Sequence, residues 1–483
     1  MIANIQRSSY LDLPTNFYAA VNPKPVIAPK LIKFNHPLAT ALNLHDVTLD
    51  DKVIALYAGN WVPPQLQSIA LAYAGHQFGH YVPLLGDGRA VLLGELVDKA
   101  GKQWDLQLKG SGMTPFSRQG DGRAPLSAVL REYLVSEAMH GLGIATTRCL
   151  AAVSSEETIY RAEGWVPIGV LTRIAASHVR VGSFQYAALN GQNLLQSLAD
   201  YAIKRHYPDL LSEKRPYVEF FKQVIERQVQ LVVDWLGVGF IHGVMNTDNM
   251  AISGETIDYG PCAFMDEFDV NMVFSSIDMH GRYAFGNQPN IAKWNMTQLG
   301  HALLPLFPNG ELMHEALATF DSRFDYYWNR KLRAKLGLAE GNEKTALLID
   351  GFFQLMQKHK PDYTNTFRLL CDAVDSDKSV NQLLQTFSND DHSKQWVTAW
   401  LACVRRLDSN KTKTEMEAVN PVYIPRNHLI SKAINAFVQD QNASLMDKLL
   451  HVFPNPFTQQ KNTEALQQLP SPNERVVQTF CGT

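Results

Sequence analysis

The stretch that most constrains this chain is HGVMNTDNMAISGETIDYG, from His242 to Gly260. It gathers His242, Asp248, Asn249 and Asp258 into one short, hairpin-like span. An amphipathic segment delivers the chain to it. Val218, Phe221, Ile225, Val229, Val232 and Leu236 recur at helical spacing and stop at Gly237. A loop this rich in Asp and Asn at the end of a core-packed helix has two readings. It is ordinary turn chemistry, since these side chains bond their own backbone, or it is a built site.

The spacing favours the site. Kinase-type loops of the pattern H-R-D-x-x-x-x-N supply a base and a metal ligand, and a following D-F-G supplies a second, carboxylate ligand. His242 and Asn249 stand at the first and last of these positions, and Asp258-Tyr259-Gly260 reads as the D-F-G. The base position falls on Val244, which cannot accept a proton. A different carboxylate, Asp248, sits directly before Asn249.

At 483 residues the chain is too long for one small core and predicts two or more lobes. Its formal charge of -3 argues against a dedicated nucleic-acid binder, which is usually strongly basic. No apolar run approaches the ~20 residues that span a bilayer. The opening MIANIQRSSYLDLP has no apolar signal core. Cys149, Cys262, Cys371, Cys403 and Cys481 are scattered without Cys-x-x-Cys spacing, which predicts a reducing, cytoplasmic setting and no zinc site. His76 and His80 lack a third ligand nearby, so no metal role is expected of them. A monomer is expected.

The N-terminal half reads as β-containing. Gly86-Asp87-Gly88-Arg89 precedes the strand-like Ala90 to Val97. It is a plain turn, or a loop whose backbone can approach a phosphate with Arg89 as a forked donor. A second strand, Gln103 to Leu108, follows the turn Lys99 to Lys102. Trp104, Leu106 and Leu108 share one face, and Asp105, Gln107 and Lys109 the other. Gly-Asp-Gly-Arg-Ala recurs at Gly120 to Ala124, running into Pro125 and a helix from Leu126 to His140 that Gly141 stops. This places Asp121 and Gly122 at a helix N-terminus, which suits an anion. A kinase pairs its strand lysine with a helix glutamate. The helical wheel puts Glu137 among Leu126, Leu130 and Tyr133 and so favours it over Glu132. Gly169 to Phe184 reads as β-rich and carries Arg173 and Arg180 among apolar neighbours. From about Gly191 helical periodicity dominates, with Glu311 to Leu336 and Thr345 to Lys358 as further amphipathic helices. The order predicts an α+β, two-lobed, protein-kinase-like fold. Residues 1–185 form its β-containing N-lobe and 186–483 its mostly helical C-lobe with the metal loop.

The blocks AYAGHQFG, LGDGRAVLLGE, LKGSGMTPFSRQGDGRAPLS, REYLVSEAMHGLGI, TRIAASHVRVGSF, HGVMNTDNMAISGETIDYGP and NPVYIPRN occur in that order over roughly residues 60 to 430. In them the chain resembles the SelO/YdiU family of kinase-like proteins. The resemblance implies protein adenylylation: AMP moves from ATP to Ser, Thr or Tyr hydroxyls of proteins, and the nucleotide lies flipped relative to kinases. It implies nucleotide contacts at Gly86, Gly88, Arg89, Lys109, Asp121, Gly122, Arg173, Arg180 and Asp258. It further implies Asp248 as proton acceptor, and Asn249 and Asp258 as ligands of Mg²⁺ or Mn²⁺. It aligns the helix glutamate with Glu132 rather than Glu137, so that pair stays open. Some relatives carry a selenocysteine or cysteine near the C-terminus and a cysteine after the DYGP block. Here the first position is Cys481, the second is Phe274, and Cys262 is the nearest thiol to it.

Two other functions fit the residues: an atypical kinase transferring the γ-phosphate, and an inactive nucleotide-binding or redox scaffold. The target protein, and the choice of Mg²⁺ over Mn²⁺ or ATP over UTP, are not legible in the residues.

Overall fold

The computed structural model describes residues 4–44, 48–406 and 408–480. Cys481 lies outside them. The strands in chain order are β1 (Tyr18–Ala20), β2 (Lys30–Phe34), β3 (Ile69–Leu71), β4 (Gly75–Gln77), β5 (His80–Val82), β6 (Ala90–Val97), β7 (Gln103–Lys109), β8 (Ala124–Pro125), β9 (Arg148–Arg161), β10 (Gly164–Ala175), β11 (Phe240–Ile241) and β12 (Ala263–Phe264). One antiparallel sheet takes the order β1-β3-β6-β7-β10-β9-β2, with β8 beside β10. The fold is α+β.

Period-two alternation gives this sheet two apolar faces. Ala151 and Val153 of β9 join Leu106 and Leu108 of β7 against α1 (His36–Ala41) and α2 (Asp51–Ala58). Ala152, between them, faces the other way and joins Leu171 of β10 against Val129, Leu130 and Tyr133 of α3 (Leu126–Gly141). The register pairs Gln107 with Arg173 and Lys109 with Leu171. Gln107, Lys109 and Arg173 therefore share the α3 face.

The second half is helical. It runs through α4 (Val181–Leu189), α5 (Gln192–His206), α6 (Pro216–Gly237), α7 (Gln288–Leu303) and α8 (Glu311–Leu336). Then follow α9 (Glu343–His359), α10 (Tyr363–Ala373), α11 (Asp377–Thr386), α12 (Asp391–Val404), α13 (Ser409–Glu417), α14 (Asn427–Asp440) and α15 (Ser444–Val452). The expected apolar stripe of α6 is buried at every named position. Leu429, Ile430 and Ala433 of α14 and Met446 and Leu449 of α15 return to pack on α3. No helix among the described residues is long and apolar enough to cross a membrane.

Two local expectations need correction. β10 stops at Ala175, and Val181 to Phe184 is the first turn of α4 rather than strand. The β-branched Val179 and Val181 mimic a strand. The turn is decided by Ser183, whose hydroxyl accepts the Arg180 N–H at 3.1 Å while its own N–H reaches the Arg180 carbonyl at 3.0 Å. Likewise Pro125 lies just outside α3, in extended conformation, and pairs with Ile168. Asp121 and Gly122 thus precede a strand pairing and do not sit at the helix N-terminus.

Candidate active site

The His242–Gly260 span is closed at its base by a short ladder, Phe240 opposite Phe264 and Ile241 opposite Ala263. Within it the buried His242 ties the two arms together. Its Nε2–H donates to the Ile257 carbonyl at 3.0 Å, and burial lowers its pKa, which keeps the ring neutral for that role. The next residue, Asp258, has φ 65°, a left-handed conformation that Asp tolerates better than most side chains.

Asp258 is the point on which the cations converge. Lys109 Nζ lies 2.7 Å from its Oδ1, Arg173 Nη1 2.7 Å from the same atom, and Arg180 Nη1 2.8 Å from Oδ2. Burial alone would raise this carboxyl, but Lys109, Arg173 and Arg180 hold it well below the usual carboxylate range. Lys109 also pairs with Glu132 at 2.6 Å, and Arg173 reaches Glu132 at 3.2 Å and Gln107 Oε1 at 2.7 Å. Arg180 donates to the Asp248 carbonyl at 2.6 Å and lies over the Tyr73 ring.

The helix glutamate is therefore Glu132. Glu137 instead forms a two-pronged pair with Arg148, at 2.6 and 2.7 Å. The helical wheel misleads here because it treats burial as apolar. Glu132 is 3% exposed yet fully engaged by cations from two strands.

Asp248 is buried on the same loop. Burial pushes its carboxyl up to about 6, against the pull of Arg180. Gln77 Nε2 contacts Oδ2 at 3.4 Å, whereas Oδ1 is buried without a partner. That oxygen occupies the space a side chain at Gly75 would need, since a Cβ there would come within 2.8 Å of it. The loop beneath is pinned by β4. His76 N–H donates to Thr247 Oγ1 at 2.7 Å, Thr247 donates to Gln185 Oε1 at 2.7 Å, and Phe78 N–H donates to Asn246 Oδ1 at 3.0 Å. Tyr283 OH reaches the same Asn246 oxygen at 2.6 Å. Asn249 donates its amide to the Val244 carbonyl at 2.9 Å, which leaves Oδ1 as its open donor atom.

Lys109, Arg173, Arg180, Asp248, Asn249 and Asp258 open on one cleft of about 850 Å³. Every position expected from sequence to contact nucleotide, accept the proton or hold metal lines it: Gly86, Gly88, Arg89, Lys109, Asp121, Gly122, Arg173, Arg180, Asp248, Asn249 and Asp258. Its wall carries seven Lys and Arg side chains against four carboxylates, in a chain whose net charge is negative. Such an imbalance suits a polyanion. Asn249 Oδ1 and the Asp258 carboxylate are hard oxygen donors of the kind Mg²⁺ or Mn²⁺ takes, and the orphaned Asp248 oxygen lies on the same loop. The donor set fits a divalent cation.

The glycine loops have a further cause. A Cβ on Gly86 would meet the Phe116 ring at 2.3 Å, and one on Gly122 the Gly112 backbone at 2.2 Å. The two Gly-Asp-Gly loops are thus packed by the 112–117 segment. Thr114 Oγ1 donates to the Asp87 carbonyl at 2.7 Å, and Ser117 Oγ donates to the Gly88 carbonyl. Sequence reasoning missed Asp87, which is buried and accepts from Gln107 and Tyr73. It also missed Gln77 and Gln185. The GHQFG block was the available signal, although its His76 is not expected to hold a metal. Its Nδ1 lies 2.9 Å from Gln185 Nε2.

Comparison with known proteins gives the family. The family model "Protein adenylyltransferase SelO" matches residues 3–453. "Protein nucleotidyltransferase YdiU" of Rhizobium etli is 48% identical over 485 residues, covering 99% of this chain and 97% of that protein. The proteins of the same name from Bradyrhizobium sp. and Rhizobium meliloti are 51% and 47% identical, each covering 99% of both chains. The chain belongs to the SelO family of protein adenylyltransferases, and the expected enzyme class, a nucleotidyltransferase, is borne out.

Proposed function

We propose that this enzyme transfers AMP from ATP to Ser, Thr or Tyr hydroxyls of acceptor proteins and releases pyrophosphate. The frame proposed for it is the kinase-like one, with residues 1–185 as N-lobe and 186–483 as C-lobe. The observation that carries the reading is the convergence of Lys109, Arg173 and Arg180 on Asp258 beside the buried Asp248.

In this reading Lys109, Arg173 and Arg180 turn from Asp258 to the β- and γ-phosphates and stabilise the charge that leaves as pyrophosphate. Arg89 and the backbone of Gly86, Gly88, Asp121 and Gly122 position the rest of the nucleotide. Asn249 and Asp258 would hold Mg²⁺ or Mn²⁺, whose charge, when bound, offsets that of the phosphates. Asp248 takes the proton of the acceptor hydroxyl as its oxygen bonds to the α-phosphorus and the bond to the bridging oxygen breaks. Its raised pKa, from burial, makes it a stronger base than a solvated carboxylate. Val244 lines the cleft where a γ-directed base would stand, which disfavours kinase chemistry. A reducing, cytoplasmic setting suits the buried, unbridged thiols Cys149, Cys262 and Cys371.

The test is product analysis with ATP and Mg²⁺ or Mn²⁺. Pyrophosphate should appear in proportion to modified acceptor and vanish with a chelator. ADP in its place would make the enzyme a kinase.

A further inference from the structure

We propose that the loop from Ser275 to Tyr283 is the docking surface for the acceptor, and that it takes an extended polypeptide segment with an apolar side chain a few residues from its hydroxyl. This rests on the reading of Asp248 as the group that receives the acceptor's proton.

Two large apolar side chains stand out on this loop: Ile277 is 54% exposed and Met279 87%. Slack does not account for it. The residue between them, Asp278, is buried, and its carboxylate accepts the Arg282 N–H at 2.9 Å and the Tyr283 N–H at 2.7 Å. Its own N–H donates to the Ser275 carbonyl at 3.1 Å. On the other side Ser276 N–H donates to the Thr479 carbonyl at 3.0 Å, and Thr479 N–H to the Phe274 carbonyl at 2.8 Å. The loop is thus tied at its base by the chain's last described residues and at its tip by a buried carboxylate. It holds Ile277 and Met279 outward on a fixed frame.

The frame is registered to the candidate active site. Tyr283 OH bonds Asn246, two residues before Asp248, and Ile277 lines the same cleft as Asp248. Covering exposed apolar groups on an ordered loop removes their surface from water and is favourable. The partner that must reach this place in the reaction is the acceptor chain. An extended segment advances about 3.3 Å per residue and alternates its side chains. A hydroxyl at Asp248 therefore leaves a residue a few places along to meet Ile277 and Met279. Because the loop is preformed, its ordering cost does not fall on binding.

The experiment uses the full chain, α-phosphate-labelled ATP, Mg²⁺ and a degenerate peptide library with one fixed Ser, Thr or Tyr. Labelled peptides should be enriched in Leu, Ile, Met or Phe at one or two fixed offsets from the hydroxyl. On a selected peptide, Ile277→Asp with Met279→Asp should lower kcat/KM about tenfold or more, with ATP affinity within about twofold of wild type. Ile277→Ser with Met279→Ser should give a smaller loss of the same kind. No positional preference, or equal labelling by the variants, overturns the proposal. So does a loss of ATP affinity in both variants, which would assign the loop to the nucleotide. If wild type binds ATP but labels no peptide and no protein, the hydroxyl-acceptor reading falls and this one with it. If labelling occurs without apolar preference, only this one falls.

Discussion

Strand β7 carries one polar face, yet its two ends do different things. At one end Asp105 bonds Arg205 at 2.6 Å and His178 at 2.9 Å, and Arg205 continues to Glu95 at 2.7 Å. All four side chains are at most 3% exposed. At the other end Lys109 meets Glu132 and Asp258, and there Asp258 is 20% exposed and Lys109 14%. Both clusters are ion networks at similar distances. The first is buried, and its members are met by one another and by Ser8, Ser9 and the Ala176 carbonyl. The second opens on a cleft, so its cations are held in place by Asp258 and remain available to a ligand. Pairing alone therefore does not distinguish structure from function, and access does.

The comparison breaks most easily at Asp258. Asp258→Ala should abolish metal-dependent ATP binding in calorimetry, because metal ligand and cation anchor go together. Asp258→Asn tolerates the left-handed backbone and separates loss of charge from strain. If either variant bound ATP with metal as tightly as wild type, the open cluster would be structural like the sealed one.

Asp248→Asn should keep ATP affinity and lose about 10²–10⁴-fold in transfer rate, the usual cost of a general base. Equal loss of ATP affinity would move Asp248 to the metal. On the sealed side, Arg205→Met should leave Glu95 and Asp105 buried without their cation and cost about 3–5 kcal/mol in unfolding free energy. ATP affinity of the folded variant should be unchanged. A selective loss of ATP binding without a fall in Tm would erase the distinction between the two ends.

The smallest effect is a pH dependence behind the sealed cluster. Glu255 is buried, accepts the Ala176 N–H at 3.0 Å and is pushed up to about 7 by burial. A carboxyl whose folded pKa is raised contributes stability that is full below its unfolded value of about 4.5 and is lost as pH rises through about 7. The loss is on the order of 3 kcal/mol at most. Glu255→Gln should flatten unfolding free energy between about pH 5 and 8 in denaturant titrations, and an unchanged slope would remove Glu255 as the source.

Much of this was legible in the residues. The α6 stripe, the β6–β7 pair and the His242–Gly260 loop follow from periodicity, turn residues and motif spacing, which are local, whereas the full set of nucleotide positions came with the family resemblance. Most of what failed was long-range. Glu132 is buried because Lys109 and Arg173, 23 and 41 residues away in sequence, converge on it, and no helical wheel contains them. The burial of Asp105 on the polar face of β7 is out of reach for the same reason: Arg205, which neutralises it, lies 100 residues further on. The span at Val181 to Phe184 failed locally, because β-branched residues mask a serine cap. The role of GHQFG, a hairpin that pins Asn246 and Thr247, rests on hydrogen bonds spanning 168 and 171 residues.

Attack at the α-phosphorus is tested by intact-mass spectrometry with labelled nucleotide. The full chain is incubated with Mg²⁺, an acceptor protein and ATP carrying the label on either the α- or the γ-phosphate. Adenylylation gives an AMP-sized increment on protein, labelled only from the α-position. A phosphate-sized increment labelled from the γ-position would contradict it.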